Sequence, residues 1–491
     1  MNKIEDKIIP LVNLTKNSQQ VYQLNEDGDR TRDLSSIISG TQEPIADGPL
    51  TKFRLKDNGQ EIFYSNFTNG MYNSSLNSLS EVTEPDAEWH EATGHVKKKT
   101  KSRKPKWLRI LLGHACNYSC SYCLQKDIGN PDERAKIWTL DSFLETVKKE
   151  LDLSELERVD LWGGETLLYW KSITPIIEAL DNEKIQWYFA TNGTPLRQKH
   201  VEYLSKIKGM ALFGISHDGP GHEALRGKEF LWDPITIDVL KSMQTNREKI
   251  RFSFNPVVSA TNCDLFEINN FFRNYMIEVG LNPEKVSVSY TLGRAHADED
   301  HEGSVSMEHV IQGSNLQTFK DCIDSFIKAN EEQSRGIKDH GLLINNIFHT
   351  GPRSVMGFGE TLRKQILPTI ATVCGADDDQ VLSVDVAGNV RTCPHVDDSF
   401  ISGTISNIDE VTIKKVDYTR YDKHCKVCPV YRLCKSNCPI TVPDYVFLTN
   451  CAIEKVWNKA IQRGALQTIF GSEVELVESG LDETTVKEYR S

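Results

Sequence analysis

The sequence predicts an α/β protein whose central part is an open, partial (β/α)6 barrel of the TIM-like type. Between residues 107 and 310, short apolar segments typical of strands alternate with amphipathic segments typical of helices. Strands and helices that alternate in this way form parallel sheets through right-handed crossovers. A polar region precedes this alternation and a cysteine-rich region follows it, so we expect several domains in a chain of 491 residues.

The expected boundaries follow the changes in composition. We predict an N-terminal accessory domain, a basic linker, the partial barrel, a connecting helical region, and a C-terminal cysteine-rich domain with a final helix, at 1–96, 97–106, 107–310, 311–373 and 374–491.

The accessory region is polar and rich in Asn, Ser, Asp and Gly, but it contains one strong hairpin signal. Two alternating segments, 51–55 and 61–65, flank a turn at Lys56–Gly59. The basic run that follows, Lys97–Lys106, contains near its end a proline, Pro105, which interrupts regular secondary structure. It suits either a solvated tether or an electrostatic guide for an acidic peptide.

The barrel elements are predicted in chain order. Strands are expected at 107–112, 159–162, 185–190, 211–215, 251–258 and 286–292. Helices are expected at 141–151, 171–180, 200–207, 235–243 and 266–279, with a further helical stretch at 316–329 in the connecting region.

Polar and glycine-rich segments coincide with the ends of these predicted strands. They are Cys116–Cys123, Gly163–Thr166, Thr191–Gly193, Ser216–Pro220, Asn255 within the fifth strand, and Gly293-Arg294. Because parallel strands present their carboxyl ends at one edge, these segments should collect at one rim, where ligands bind in such folds.

Composition excludes several classes of function. The formal net charge of -12 argues against a nucleic-acid-binding protein, which needs a basic surface. No apolar run approaches the ~18–20 residues of a membrane helix, and the first residues lack the apolar segment of a signal peptide. We therefore expect a cytoplasmic protein with neither a membrane nor a nucleic-acid partner.

The chain has 12 cysteines, all after residue 115. In a reducing compartment this density favours metal sites over disulfides. Cys116, Cys120 and Cys123 form a C-x3-C-x2-C loop that can supply three thiolates to one [4Fe–4S] cluster, with the fourth iron left open. Three buried thiols, or part of a zinc site, are the alternatives for this loop taken alone.

This cysteine loop after the first strand, followed by Gly163-Gly164-Glu165 after the second, resembles the radical S-adenosylmethionine (SAM) enzymes. The resemblance covers roughly residues 107–300 and includes one departure, Thr166, where the family often has Pro. It implies that Cys116, Cys120 and Cys123 hold the catalytic cluster. It also implies that SAM chelates the open iron, and that reduction of the cluster yields a 5′-deoxyadenosyl radical.

The same resemblance implies a set of SAM-binding residues: Tyr122, Gly163, Gly164, Glu165, Asn192, Ser216, Arg226 and Asn255. Tyr122 would offer its backbone to adenine, and the two glycines would let the backbone approach the ligand. Glu165 would accept from the methionyl ammonium. Ser216 would bind the carboxylate or ribose, the two asparagines would line the nucleoside, and Arg226 would belong to a carboxylate clamp. His217 and His222 are predicted as rim or core residues.

A second cysteine array occupies residues 374–451. It contains seven cysteines, and a hairpin around Ala387-Gly388, with strands at 381–384 and 389–392, delivers Cys393. The array resembles the SPASM domain, an extension of radical SAM enzymes that modify peptides and that usually holds two auxiliary [4Fe–4S] clusters. A pair of zinc ribbons with His395 or His424 as eighth ligand is the rival interpretation.

The resemblance implies two ligand groups. The distal cluster would be held by Cys425, Cys428, Cys434 and Cys451, and the proximal cluster by Cys374, Cys393 and Cys438. Cys263 and Cys322 are the candidates for a fourth ligand of the proximal cluster, but neither is close to Cys374 in sequence. We therefore predict an open iron on the proximal cluster. The predicted cofactors are SAM and three [4Fe–4S] clusters.

The functional hypothesis is a radical SAM oxidoreductase that abstracts hydrogen from a ribosomally made precursor peptide, leading to crosslinking or another oxidative modification. The N-terminal region would recognise the leader of that peptide, and a flavodoxin- or ferredoxin-type protein would supply electrons. One alternative is a sulfatase-type maturase that makes formylglycine. Pro394-His395 stands where that subfamily carries an Asp beside the equivalent of Cys393. A zinc-bound adaptor without catalysis is the alternative of another class.

Overall fold

The structure is a computed structural model. It describes residues 51–65, 69–73, 79, 100–125, 128, 137–295, 307–349, 353–364, 374–395, 397–412, 424–425, 428–436, 438, 440 and 443–478. Most of the predicted accessory domain, including residues 1–50 and 80–96, and the start of the predicted basic linker lie outside the described residues.

Strands are numbered in chain order. The first group is β1 (Thr51–Leu55), β2 (Glu61–Ser65), β3 (Gly70–Tyr72), β4 (Trp107–Leu111), β5 (Arg158–Trp162), β6 (Gln186–Thr191), β7 (Met210–Ile215) and β8 (Ile250–Phe254). The second is β9 (Val257–Val258), β10 (Ser287–Val288), β11 (Thr291–Leu292), β12 (Val381–Asp385), β13 (Asn389–Arg391), β14 (Ile401–Thr404) and β15 (Val474–Glu478).

The described α-helices are numbered in the same way. They are α1 (Ile137–Glu150), α2 (Trp170–Leu180), α3 (Gln198–Leu204), α4 (His222–Leu225), α5 (Pro234–Thr245), α6 (Leu265–Glu278), α7 (Ser314–Ser334), α8 (Val355–Lys364), α9 (Tyr431–Cys434) and α10 (Asp444–Phe470). The helix predicted at 266–279 begins one residue earlier, at Leu265, where Asp264 caps α6 by accepting the backbone N–H groups of Phe266 and Glu267. None of these helices is both long and apolar enough to cross a membrane.

The central sheet has nine strands in the order β10-β8-β7-β6-β5-β4-β12-β13-β14. The run from β4 through β8 to β10 is parallel, which confirms the predicted α/β alternation. The sheet is open and mixed, because β12 pairs in parallel with β4 whereas β13 and β14 are antiparallel. Within the described residues it does not close into a barrel.

The fifth and sixth predicted strands are each interrupted. The segment 251–258 divides into β8 and β9 around Pro256, which has no N–H group to donate to a ladder. The segment 286–292 divides into β10 and β11, and β11 pairs with β9 in a separate parallel ladder. Asn255 consequently follows its strand, at the sheet edge, rather than lying within the strand as predicted.

The register of the sheet separates polar from apolar side chains. Arg109, Asp160 and Tyr188 are consecutive register partners and share one face. Their chain neighbours Leu108 and Val159 project to the other face and are fully buried in the hydrophobic core. One face of the sheet therefore carries the core and the other presents polar groups.

A second sheet joins the two ends of the described chain. The predicted hairpin, β1 with β2, is confirmed, and β15 pairs antiparallel with the outer side of β1. This sheet packs on α8, where the ring of Tyr64 lies 6.4 Å from that of Phe358. Phe53 and Ile62 are buried in the core, so the hairpin is folded against the helices that follow the parallel strands.

Candidate functional site

Cys116, Cys120 and Cys123 lie on the loop that follows β4, at the carboxyl edge of the sheet. Cys123 is exposed and the other two are half-buried. The backbone N–H groups of Tyr118 and Gln125 point at the sulfur atoms of Cys116 and Cys123, each at 3.4 Å. Burial raises the pKa of Cys120 to about 11, so a bound metal would be needed to make this sulfur a thiolate at neutral pH.

Gly164 lies against the backbone of the cysteine loop. Its N–H group donates to the carbonyl of Gly113 at 3.0 Å, and the N–H of Glu165 donates to that of Ala115 at 2.8 Å. A Cβ atom on Gly164 would lie 2.3 Å from the carbonyl oxygen of His114. The absence of a side chain at this position is therefore already required for contact between the two loops.

Glu165 is buried and joins the ends of β5 and β6. Its carboxylate accepts from Thr191 Oγ1 and the Asn192 N–H at 2.6 Å each, and from the Leu167 N–H at 2.9 Å. Burial raises its pKa to about 7. A carboxylate offers about four acceptor positions, so three donors leave capacity for a cationic ligand.

The other predicted SAM-binding residues lie at the same edge of the sheet. Asn192 Nδ2 donates to Asn117 Oδ1 at 2.8 Å and stands 4.0 Å from the Cys116 sulfur. Ser216 follows β7, and its N–H donates to the Thr191 carbonyl. Asn255 donates to the Tyr188 hydroxyl at 3.3 Å. The cysteine loop and the ends of β5 to β8 are thus brought together.

Asp218 is the residue that sequence reasoning missed. It is fully buried, and its Oδ2 atom accepts from the Tyr122 hydroxyl and, at 3.0 Å, from Arg226 Nε. Its Oδ1 atom accepts the Val257 N–H. Tyr122 and Arg226, both predicted to bind SAM, are therefore fixed by one carboxylate. The segment Ser216–Pro220 marked the place, but only tertiary packing shows the partners.

His217 and His222 lie inside the fold. Their rings stack at 3.8 Å, and His217 Nε2 lies 3.0 Å from Glu229. Burial lowers the pKa of His222 to about 4, which suits a neutral packing residue more than a proton donor.

Four C-terminal cysteines surround one cavity. Its lining includes Cys425, Cys428, Cys434 and Cys451, together with apolar residues and Lys455. Burial raises the pKa of both Cys425 and Cys451 to about 12. Ionised sulfur in this cavity would require a compensating metal charge, and four thiolates are the usual ligand set of a [4Fe–4S] cluster.

A third cysteine group lies beside β4. Cys374 and Cys438 are electrostatic neighbours of Cys393, whose pKa burial raises to about 12. The guanidinium of Arg109 donates to the Cys374 carbonyl. Cys322 lies elsewhere, next to Cys263 and Asp264 at the start of α6, so the structure does not bring either candidate fourth ligand to this group.

His395 follows this group and is packed rather than free. Its backbone N–H points at the Cys393 sulfur at 3.4 Å, and its imidazole ring meets that of Trp162 edge-on at 4.6 Å. Burial lowers the pKa of His395 to about 4, which makes it a weak base.

In the described part of the chain, no three His, Cys, Asp or Glu side chains converge closely enough to hold a single metal ion. In an iron–sulfur cube each cysteine binds a different iron atom, so its ligands need not converge on one point.

Comparison with known proteins identifies the class of the central region. Residues 110–255 match the family model of the Radical SAM superfamily. The chain therefore contains a radical SAM domain, with SAM and a [4Fe–4S] cluster as the cofactors that the family implies.

Individual relatives match only part of the chain. The radical SAM cyclopropyl synthase TigE of Paramaledivibacter caminithermalis is 26% identical over 197 residues, covering 36% of this chain and 41% of that protein. The GTP 3′,8-cyclase of Clostridium perfringens is 34% identical over 118 residues, covering 24% and 35%. The chain thus spans about two fifths or less of the length of these curated relatives.

A solved structure, polyhistidine-tagged anSMEcpe with bound AdoMet, resembles this chain with a TM-score of 0.50 and 18% identity. The similarity covers 75% of this chain and 99% of that one. It supports the radical SAM α/β fold.

Proposed function

We propose that the protein is a radical SAM maturase that acts on a ribosomally made peptide and leads to crosslinking or another oxidative modification. The observation that carries this proposal is the presence of three separate cysteine groups around one radical SAM domain. One group stands at the sheet edge, one lines a cavity, and one lies beside β4. Extra clusters provide a route for the further electron that an oxidative modification must release.

The roles of the cysteines follow from this arrangement. Cys116, Cys120 and Cys123 would hold the SAM-binding cluster. The cavity-lining cysteines and the group of Cys374, Cys393 and Cys438 would hold the auxiliary clusters. When bound, SAM and the first cluster supply a 5′-deoxyadenosyl radical that removes hydrogen from an unactivated carbon.

The chain's own residues would position SAM. Glu165 has acceptor capacity left at the edge where the methionyl ammonium would lie. Asp218 would fix the Arg226 guanidinium, the proposed clamp for the SAM carboxylate, and it would also fix the Tyr122 side chain of the cysteine loop. Because Glu165 and Asp218 are buried and each is hydrogen-bonded to its own neighbours, they are preorganised before the ligand arrives.

The substrate residue would bind at the polar face of the sheet. Trp162 and Tyr188 present adjacent rings with centroids 6.2 Å apart, and the Asn255 amide donates to the Tyr188 hydroxyl. Cys374, Cys393 and Cys438, here called the proximal cysteine group, adjoin this face through Arg109, which donates to the Cys374 carbonyl. A peptide side chain here would lie between the SAM site and an auxiliary cluster, in a site walled by aromatic groups that limit access of water.

Leader recognition belongs to the same proposal. In the described residues, β15 pairs only with β1 and is an edge strand of its sheet. An extended leader can add to such an edge by backbone hydrogen bonds.

Coexpression with the short open reading frames beside the gene tests this function. Mass spectrometry should show loss of two hydrogen atoms from one peptide, and Cys116→Ala should abolish the change. A precursor without its leader should be modified poorly. The peptide proposal would be contradicted if the protein cleaved SAM and consumed added GTP but modified none of these peptides.

A further inference from the structure

One lysine of the basic run is buried instead of solvated. Lys101 is only 4% exposed, and its ammonium donates to the carbonyl oxygens of Ala376, Asp378 and Val381 at 2.8, 2.7 and 2.8 Å. An ammonium has three donors and no acceptor, so each of its N–H groups is used. The first two carbonyls belong to the turn that connects Cys374 to β12, and the third belongs to the first residue of β12.

The neighbouring cations of the same run behave differently. Lys104 is exposed and pairs with Asp152 at 3.0 Å, and Arg103 pairs with Asp409 and Glu150 at the surface. Exposed pairs of this kind contribute little to stability. Burial of an ammonium, in contrast, is unfavourable unless it is fully hydrogen-bonded. Unlike Lys104 and Arg103, Lys101 therefore depends on the carbonyl groups after Cys374 for its hydrogen bonds.

Further contacts hold the same turn. The N–H of Ser102 donates to the Asp379 carbonyl at 2.9 Å, and the N–H of Lys106 donates to the Gln380 carbonyl at 3.0 Å. Arg109 donates to the carbonyl of Cys374 itself. The segment from 101 to 109 thus lies along 374–381, and it contributes two buried cations, Lys101 and Arg109, to this contact.

We propose that Lys101 is a positioning residue for the proximal cysteine group: by tying two carbonyls of the turn after Cys374 to the first carbonyl of β12, it places the sulfur of Cys374 beside Cys393 and Cys438. The inference rests on the proposed auxiliary clusters but not on the identity of the substrate. Without the ammonium, the two buried carbonyls and the half-buried Asp378 carbonyl lose this donor, and the turn must open to water. The Cys374 sulfur would then move with the turn.

Lys101→Met tests the proposal in the full-length protein after anaerobic reconstitution, because it keeps the length of the side chain and removes the charge. Lys104→Met, from the same basic run, is the matched control. Iron per chain should fall from about twelve to about eight in Lys101→Met and stay at about twelve in the control, since each cube carries four irons. If the proximal cluster is retained, its midpoint potential in an EPR-monitored titration should change in Lys101→Met alone.

A chemical rescue keeps the test decisive where Lys101→Met folds poorly. Lys101→Ala leaves room for a small cation, and methylammonium added during reconstitution should restore the missing iron. Tetramethylammonium carries the same charge but has no N–H group, so it should restore none.

Three results would overturn the inference. The first is a full iron content and unchanged potentials in both Lys101 variants. The second is a lowered melting temperature with unchanged cluster signals, since that would make Lys101 merely structural. The third is equal rescue by both cations. Wild-type protein with only about four irons would instead overturn the auxiliary clusters, and this inference with them.

Discussion

Substitution of Gly164 by Ala should disable the SAM-binding cluster. The added Cβ would lie 2.3 Å from the His114 carbonyl oxygen and 2.6 Å from that of Ala115, and both are backbone atoms that cannot rotate away. Ordinary contact begins near 3.4 Å, so the loop leading to Cys116 must retreat by roughly 1 Å. The backbone bonds that join the two loops, Gly164 to Gly113 and Glu165 to Ala115, would break or lengthen.

The size of the effect follows from these contacts. Overpacking costs ~1–3 kcal/mol and each of the two weakened backbone bonds about 1 kcal/mol, so we expect a loss of about 3–5 kcal/mol of stability. Gly163→Ala should cost less, because its Cβ would lie 3.1 Å from the Tyr169 ring and 3.3 Å from the Gly113 carbonyl oxygen, so these neighbours need to move by only a few tenths of an ångström. Gly359→Ala, whose Cβ would lie 3.7 Å from Ala465 on a neighbouring helix, is the neutral control.

Two measurements check this prediction. Urea unfolding of the metal-free variants should rank Gly164→Ala as the least stable of the three. Isothermal titration of the reconstituted proteins with SAM should show binding lost in Gly164→Ala and retained in Gly359→Ala. Wild-type stability and SAM affinity in Gly164→Ala would refute the close packing of the two loops.

Three further outcomes are expected. Asp218→Asn keeps the shape of the side chain but removes the charge that holds Arg226, so the Kd for SAM should rise about tenfold in titration calorimetry; an unchanged Kd would contradict this role. Burial raises the pKa of Glu165 to about 7, above the ordinary value of 4.5. The folded metal-free protein therefore retains a proton that the unfolded chain releases, and stability should fall as the pH rises between these values. Glu165→Gln should flatten that part of the urea-unfolding profile, and a slope equal to that of wild type would be inconsistent with it. Cys434→Ala should lose about four irons per chain while SAM cleavage continues, as measured by iron assay and chromatography; loss of all cleavage would show that the cavity cysteines serve the first cluster.

Local pattern was sufficient to predict the parallel core. The apolar alternation from Trp107 onward gave six strands in the correct order, because each strand and its following helix are contiguous in the chain. The same pattern overextended the fifth strand, although Pro256 within it is a signal against a continuous ladder. The carboxyl-edge rule also predicted which loops would meet around Cys116.

Contacts between distant segments could not be predicted from local pattern. The pairing of β1 with β15 joins residues more than four hundred positions apart, as Lys56 and Glu473 show. Neither a basic run nor a polar strand end reveals its partner, so the buried contacts of Lys101 and Asp218 were equally hidden. The role of Gly164 was predicted as closeness to a ligand, whereas closeness to the cysteine loop already requires it.

The most direct test is to mix anaerobically reconstituted protein with dithionite and SAM and to quantify 5′-deoxyadenosine and methionine by liquid chromatography and mass spectrometry. We expect wild-type protein to produce both, and a variant with Ala at Cys116, Cys120 and Cys123 to produce neither. Intact SAM in the presence of fully reduced, iron-loaded wild-type protein would contradict the account at its centre.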